Sequence, residues 1–212
     1  MVSHLDLLGA VLASKQLDLS RRTGKNNPFR PGSPSFEEVL AKNLQGSSPV
    51  SSANCEVTGP DDKFQEALKF VLEKEGSRHV RKDGGHESSR YGILQSTASE
   101  YGYRGNVKDL TKAEAEAIYK KLWQKSGAES LPRPLSTVHF DTYVNSPAAA
   151  EKILAKSRGN TDIYLRLREK RYARLAEIRP EQYGKYLKGW NNRIDSLRTM
   201  VARINQGANL RA

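Results

Sequence analysis

The segment Phe64-Gln-Glu-Ala-Leu-Lys-Phe-Val-Leu-Glu-Lys-Glu75, followed at once by Gly76, decides the fold class of this chain. At about 100° per residue, one face of a helix through this segment collects four apolar residues: Phe64, Leu68, Val71 and Leu72. Asp61 or Asp62 can supply the N-cap. The pattern therefore predicts an amphipathic helix that ends at Glu75.

Glu75 lies on the apolar face of this predicted helix, at about 20° on the same projection, whereas Glu73 lies at about 180°, on the polar face. A carboxyl group at the edge of a core is partly removed from water, and burial disfavours its ionised form. A protonated carboxyl group is what a general acid needs. In the alternative, Glu75 extends past the helix end into water or pairs with a cation such as Arg78 or Arg81.

The rest of the chain after residue 60 also has helical periodicity, with little alternation of the strand type. Thr111-x-x-Glu114 matches a capping box and predicts a helix that continues to about Trp123. Further helices are predicted over 135–145, 147–156, 161–178 and 181–205. We therefore predict an all-α fold.

Composition limits the class of protein. The chain has 212 residues, of which 37% are hydrophobic and 28% are charged, which allows one compact domain of about 150 residues with an appendage. No apolar run approaches the roughly 20 residues that span a bilayer. The single cysteine, Cys55, cannot form an internal disulfide.

The first 60 residues differ from the rest. Stretches rich in Pro, Gly and Ser, 21–35 and 46–60, are typical of linkers, and they separate two short amphipathic segments, 5–12 and 36–44. We predict a partly disordered N-terminal segment, residues 1–60, that docks onto a protein partner. It lacks the features of a Sec signal peptide. An enzyme acting outside the cytoplasm would then be delivered by a secretion apparatus, a phage particle or lysis.

The positive charge is concentrated at the end of the chain. The formal net charge is +11, and residues 151–212 hold fifteen Lys or Arg against six Asp or Glu. Such a surface favours a polyanionic partner: nucleic acid, anionic lipid or bacterial wall. Arg166, Lys170 and Arg174 recur every four residues, a spacing equally typical of a solvated helix face. Nucleic acid is the weaker candidate, because no known nucleic-acid-binding motif is present.

The segment between residues 81 and 93 is dense in Gly, Ser and charge and can make sharp turns that approach a sugar closely. Its polar side chains are those of Asp83, His86, Glu87, Ser88 and Ser89. Tyr91 and Ile93 then return to apolar character. No second histidine lies at a ligand spacing from His86, so we predict no metal site and no cofactor.

Glu75-Gly, a short variable stretch, Asp83-Gly-Gly and Tyr91-Gly-Ile93 together resemble the signature of glycoside hydrolase family 108, which contains N-acetylmuramidases. Further motifs follow in that family's order: Leu110-Thr-Lys-Ala-Glu-Ala-x-x-Ile-Tyr119, Leu122-Trp123, Phe140-Asp-x-x-Val-Asn145, Arg171-Tyr-x-x-Leu175 and Gly189-Trp-x-x-Arg193. The resemblance covers about residues 62–200. It implies a lysozyme-like helical muramidase, and the glutamate that opens its signature matches Glu75 as the catalytic acid.

The chain departs from the family pattern in three places. Ser77 stands where the family has a second glycine, and Ser88 or Ser89 stands in for its threonine. Between Asn145 and Tyr164 a segment of the family's wall-binding lobe is missing. The resemblance thus implies a catalytic core over 61–145 and a shortened C-terminal helical lobe, 146–212, whose binding to the wall is in doubt.

The resemblance implies cleavage of the β-1,4 bond after N-acetylmuramic acid in peptidoglycan, with Glu75 protonating the leaving oxygen. Asp83 is the first candidate for a second catalytic carboxylate and Glu87 the second. Substrate contacts are predicted for Glu87, Ser88, Ser89, Tyr91, Tyr101, Asp141 and Asn145. Alternatively, the two tyrosines pack in the core, and the same alternative holds for Trp123 and Trp190. For Asp141 the alternative is a structural role.

Two other activities remain open. Without a second carboxylate in reach, the enzyme would be a lytic transglycosylase that acts on the same bond. A non-catalytic wall-binding component of a flagellar, secretion or phage assembly would keep the fold and use residues 1–60 as an anchor.

Overall fold

A computed structural model describes residues 60–83 and 87–209. The predicted short helices and linkers before residue 60, and His86, lie outside these ranges. Helix α1, Pro60–Glu75, has the predicted C-terminal bound. Gly76 follows at φ +69°, a left-handed conformation that glycine adopts without steric cost, and its N–H donates to the Leu72 carbonyl oxygen at 2.8 Å.

A small antiparallel sheet follows α1. Its strands are β1, Val80–Asp83; β2, Glu87–Arg90; and β3, Ile93–Leu94, in the order β1-β2-β3. Ser89 in β2 faces Val80 on one side and Leu94 on the other. Sequence periodicity predicted only turns here, because such short strands leave little room for alternation. With so short a sheet, the predicted all-α class is confirmed.

The first half of the fold continues with α2, Gln95–Glu100, which was not predicted, and α3, Lys112–Ser126. The predicted capping box of α3 is confirmed. The Thr111 hydroxyl accepts from the Glu114 N–H, and the Thr111 N–H donates to the Glu114 carboxylate at 2.8 Å. Gly127, at φ +69°, ends the helix. Short 3-10 turns cover Val107–Asp109 and Ala128–Ser130.

Helix α4, Leu135–Asn145, is buried along its whole length. It is followed by α5, Pro147–Ser157, and α6, Thr161–Ile178, which agree closely with prediction. The prediction of a single helix over 181–205 is wrong for the first turns of that range. Its region contains α7, Pro180–Tyr183, a 3-10 turn over Gly184–Tyr186, and then α8, Leu187–Asn209.

Two apolar clusters share helix α4. Phe140 and Val144 pack with α1, β3, α2 and α3, whereas Leu135 and Val138 pack with α5, α6 and α8. The alternative of core packing is confirmed for both tryptophans. Trp123 contacts the rings of Phe64 and Phe140, and Trp190 stacks on Tyr172 with ring centroids 4.5 Å apart.

Among the described residues, no helix combines the length and the apolar character that a membrane crossing requires.

Candidate active site

Glu75 is the last residue of α1, and its side chain is only 1% exposed, so its predicted place on the apolar face is confirmed. Its Oε1 accepts a hydrogen bond from Nη2 of Arg193 at 2.9 Å. Arg193 lies 118 residues further along the chain, in α8. The cation that pairs with Glu75 is therefore neither Arg78 nor Arg81.

The other carboxyl oxygen of Glu75, Oε2, is buried and has no hydrogen-bond partner among the described residues. It lies against Gly92. A β-carbon added to Gly92 would come within 2.7 Å of Cβ, Cγ and Oε2 of Glu75, and Gly92 has a φ of +73°. Both the contact and the backbone conformation therefore require glycine at this position.

A buried charge cluster holds Arg193 in place. Arg193 donates to Asp141 from Nε at 3.0 Å and from Nη2 at 2.7 Å, both to Oδ1. Arg168 donates from Nη1 to Oδ2 of the same carboxylate at 2.6 Å. The four residues Glu75, Asp141, Arg168 and Arg193, which we call the buried charge cluster, come from helices α1, α4, α6 and α8.

Asp141 and Arg193 stay charged in this cluster despite their burial. Burial opposes ionisation of Asp141, but the guanidinium groups of Arg193 and Arg168 outweigh it and lower the pKa of Asp141. For Arg193, burial acts to lower the pKa, but Asp141 and then Glu75 raise it above its ordinary value. The cluster is therefore a fixed arrangement of opposite charges beside the end of α1.

Tyr119 connects this cluster to the sheet. Its hydroxyl donates to the Tyr91 carbonyl oxygen at 2.7 Å, next to Gly92. Burial raises the pKa of Tyr119 well above its ordinary value, so it stays a hydrogen-bond donor. This bond holds the turn before β3, where Tyr91 has a φ of +53°.

The predicted polar residues of the hairpin lie in different surroundings. Asp83 is the last residue of β1, and its side chain is outside the described part of the chain. Glu87 accepts from the N–H and the hydroxyl of Ser96, both at 2.7 Å, and so caps the start of α2. Ser88 is half-buried and Ser89 is buried.

Two residues predicted to contact substrate lie in the interior. Asp141 is fully buried between two arginines, and Asn145 is buried and donates from Nδ2 to the Asp141 carbonyl oxygen at 2.6 Å. They do share one helical face, as their spacing of four predicts, but that face is turned into the interior.

A cavity near the sheet has a volume of about 1010 Å³. It lies between β3 and α2 on one side and α5 and α6 on the other, and its lining includes Glu87 and Tyr101. Lys125 lies over the Tyr101 ring at 5.4 Å from the centroid. Tyr91 is half-buried against the first apolar cluster. Of the two tyrosines predicted to bind sugar, Tyr101 alone lines this cavity.

Glu75 does not line the cavity, but the backbone at β3 runs from Glu75 to the cavity wall. Gly92, which touches Glu75, is two residues before Leu94, which lines the cavity. Lys170 and Arg174 also line the cavity, whereas Arg166 does not. All three side chains are exposed, as the solvated-face alternative predicts, since positions four apart differ by only about 40° around a helix.

Residues 68–146 match the family model described as glycosyl hydrolase 108. This part of the chain is similar to that family. The match contains Glu75, the hairpin, Gly92 and Asp141. It ends before α5, so Arg168 and Arg193 lie beyond it. Comparisons with curated proteins and with solved structures found no match.

Sequence reasoning assigned no role to Arg168 or Arg193, although helical periodicity contains a signal for both. Arg193 falls about 60° from Trp190 and about 40° from Leu197 on the apolar face of α8. Arg168 falls between Tyr164 and Tyr172 on the apolar face of α6. An arginine on a buried face needs an acidic partner, and this need could have drawn attention to Glu75 and Asp141.

Proposed function

We propose that this chain is a peptidoglycan hydrolase that cleaves the β-1,4 bond between N-acetylmuramic acid and N-acetylglucosamine, with Glu75 as the general acid. One observation carries the proposal. Arg193 binds one oxygen of a buried carboxyl group, while the other oxygen has no partner and lies against a glycine. The family match supports the glycosidase class.

The two oxygens of Glu75 then have different tasks. Oε1 accepts from Arg193, which fixes the carboxyl group, and Oε2 carries the proton. A buried polar atom without a partner costs about 1–3 kcal/mol. A glycosidic oxygen that approaches Oε2 and accepts its proton removes this cost.

In the proposed reaction, the Glu75 proton moves to the leaving oxygen while the bond from that oxygen to the muramyl C1 breaks. Water adds to C1 and loses a proton to a second carboxylate, for which we propose Asp83. Glu87 is less suitable because both of its oxygens are engaged by Ser96. A separation of about 6.5–9.5 Å between the two carboxyl groups would give inversion at C1.

We further propose that residues 61–145 and 146–212 act as one catalytic unit, since α8 supplies the arginine that holds Glu75. Residues 1–60 are assigned to delivery and to a protein partner, and the C-terminal lobe to contact with the wall.

The proposal is tested by zymography on purified peptidoglycan with Glu75→Gln. We expect wall cleavage to fall by about 10²–10⁴-fold, because the amide cannot donate the acid's proton. Glu73→Gln is the matched control, since this exposed carboxylate lies on the polar face of the same helix and should not matter. Activity of Glu75→Gln above about a tenth of the parent would contradict the assignment.

The products distinguish the alternatives. A hydrolase leaves a reducing muramyl end, whereas a lytic transglycosylase leaves a 1,6-anhydro ring. Parent protein that binds the wall and releases no fragments would instead be a non-catalytic wall component.

A further inference from the structure

Cationic side chains surround the large cavity in excess. Six lysines and arginines line it against three glutamates. Lys125 is paired with Glu100 at 3.3 Å, and Arg174 with Glu177 at 2.9 Å. The remaining cations include three exposed lysines: Lys152, Lys156 and Lys170. Within the described ranges, none of these three takes part in an ion pair or a hydrogen bond.

The wall of the cavity beneath these lysines is apolar. Leu94, Val144 and Ile153 contribute to it, and each of these side chains is buried. An apolar wall with a cationic rim fits a ligand that has both carboxylates and small apolar groups. A sugar-phosphate polymer or a nucleic acid would satisfy the lysines, but it would leave the apolar wall without a partner.

The volume and position of the cavity narrow the choice of ligand. About 1010 Å³ is at the upper end of ligand pockets and accommodates a short peptide rather than a whole glycan strand. From Gly92, beside Glu75, to Leu94, on the cavity wall, the backbone spans at most about 7 Å. Glu75 and the cavity wall are therefore neighbours along this stretch of backbone.

We propose that this cavity binds the stem peptide of the muramyl residue whose bond is cleaved, an inference that rests on the function proposed above. The stem peptide has free carboxylates and alanine methyl groups, which match the lysines and the apolar wall. Lys152 and Lys156 are one turn apart on α5, and Lys170 approaches from α6. The sugar thus contacts Glu75 while its peptide contacts the lysines.

The test uses the full chain carrying Glu75→Gln, so that binding is measured without cleavage. The probe is a synthetic stem tetrapeptide with free carboxylates, titrated by calorimetry against the same peptide with its carboxylates amidated. We expect the acidic peptide to bind about tenfold more tightly, as partly exposed ion pairs allow. Replacing Lys152, Lys156 and Lys170 together by Gln should remove this difference.

The matched control replaces three exposed cations that do not line the cavity, Arg166, Lys188 and Arg203, by Gln. It makes the same change in net charge and should leave peptide binding unaltered. Equal affinity for the two peptides, no binding, or equal loss in both triple variants would overturn the inference. Tighter lysine-dependent binding of a teichoic acid than of the peptide would also overturn it.

Kinetics separate this inference from the proposed function. On the parent background, the cavity-lysine variant should raise KM severalfold on wall that keeps its peptides and leave kcat unchanged. Failure of the parent to cleave any wall would refute the function, whereas cleavage with no effect of the lysines would refute only the peptide site.

Discussion

The buried charge cluster and the cavity rim use the same kinds of side chain in opposite ways. Arg193 and Asp141 are almost completely buried and are held by several hydrogen bonds at 2.6–3.0 Å. Lys152 and Lys170 are exposed and unpaired among the described residues. Buried charges need an ion-pair partner to remain ionised, whereas exposed charges are hydrated and remain free to bind a ligand. The first region is therefore fixed before substrate arrives, and the second remains available.

Arg193→Met should have the largest effect on stability, because it leaves Glu75 and Asp141 with less positive charge in the interior. We expect the free energy of unfolding to fall by about 3–5 kcal/mol, as when one partner of a buried ion pair is removed. Chemical denaturation measures this loss. Wall cleavage should also fall at temperatures where the variant is folded.

Arg198→Gln is the control on the same helix. Arg198 pairs with Glu169 at 2.7 Å and with Asp195 at 3.0 Å, but its side chain is 40% exposed. Exposed pairs contribute about 0–1 kcal/mol. Similar losses for the two variants would mean that burial does not distinguish the two kinds of charge.

Gly92→Ala tests the contact between the sheet and the acid. The new β-carbon would lie 2.7 Å from Glu75 atoms, at a φ of +73°. A shift of about 1 Å at the reacting group can cost about 10²-fold in rate, so we expect kcat to fall by that order. Gly184→Ala serves as the control, since a β-carbon added there meets no atom within 4 Å. Parent-like kcat for Gly92→Ala would place the reacting oxygen elsewhere.

Helix bounds and the position of Glu75 could be predicted because both depend on periodicity within one segment. Thr111 and Glu114 likewise lie within one turn of each other. The partners of Glu75 could not be predicted with the same ease. Arg193 is 118 residues away, and Gly92 reaches the site only because the hairpin folds back. Side chains brought together from distant segments leave only indirect signals in the sequence, such as an arginine on an apolar face.

Salt concentration should separate the two charged regions. Raising ionic strength from low to physiological values screens exposed charges but affects buried pairs little. Binding to insoluble peptidoglycan should weaken severalfold, while the melting temperature changes little. Replacing Lys170 and Arg174 by Gln should mimic high salt in a pull-down assay, and Arg166→Gln should do so less because Arg166 does not line the cavity. If these replacements weaken binding to peptidoglycan equally, binding depends on the overall charge of the protein and not on the cavity.

His139 gives the smallest expected effect and contrasts with the charged cluster, because it is buried without a carboxylate partner. Its Nε2 donates to the Ser126 carbonyl oxygen at 3.0 Å, and its Nδ1 accepts from the Tyr164 hydroxyl at 3.2 Å. Burial lowers the pKa of His139 below 6.5, although the Ser126 contact opposes this.

The folded protein therefore binds fewer protons at His139 than the unfolded chain does. The contribution of neutral His139 to the free energy of unfolding is complete above about pH 6.5. It is lost as the pH falls from there through the pKa of His139 in the folded protein. The melting temperature should decline over this window in the parent, and the decline should be smaller in His139→Gln. Asp141 affects stability at lower pH. Its pKa is lowered from 3.8, so its contribution to the free energy of unfolding is lost only below that pH. Identical slopes in parent and variant would contradict the assignment to His139.

The bond between Glu75 and Arg193 also affects how the chain folds. This bond closes a loop of 118 residues. Helix α1 can therefore form early, but Glu75 lacks its partner until α8 packs against the rest of the fold. Contacts of such large sequence separation lose chain entropy before they contribute energy, and they tend to form late. During synthesis, the groups we assign to catalysis would therefore come together only after most of the domain has been made.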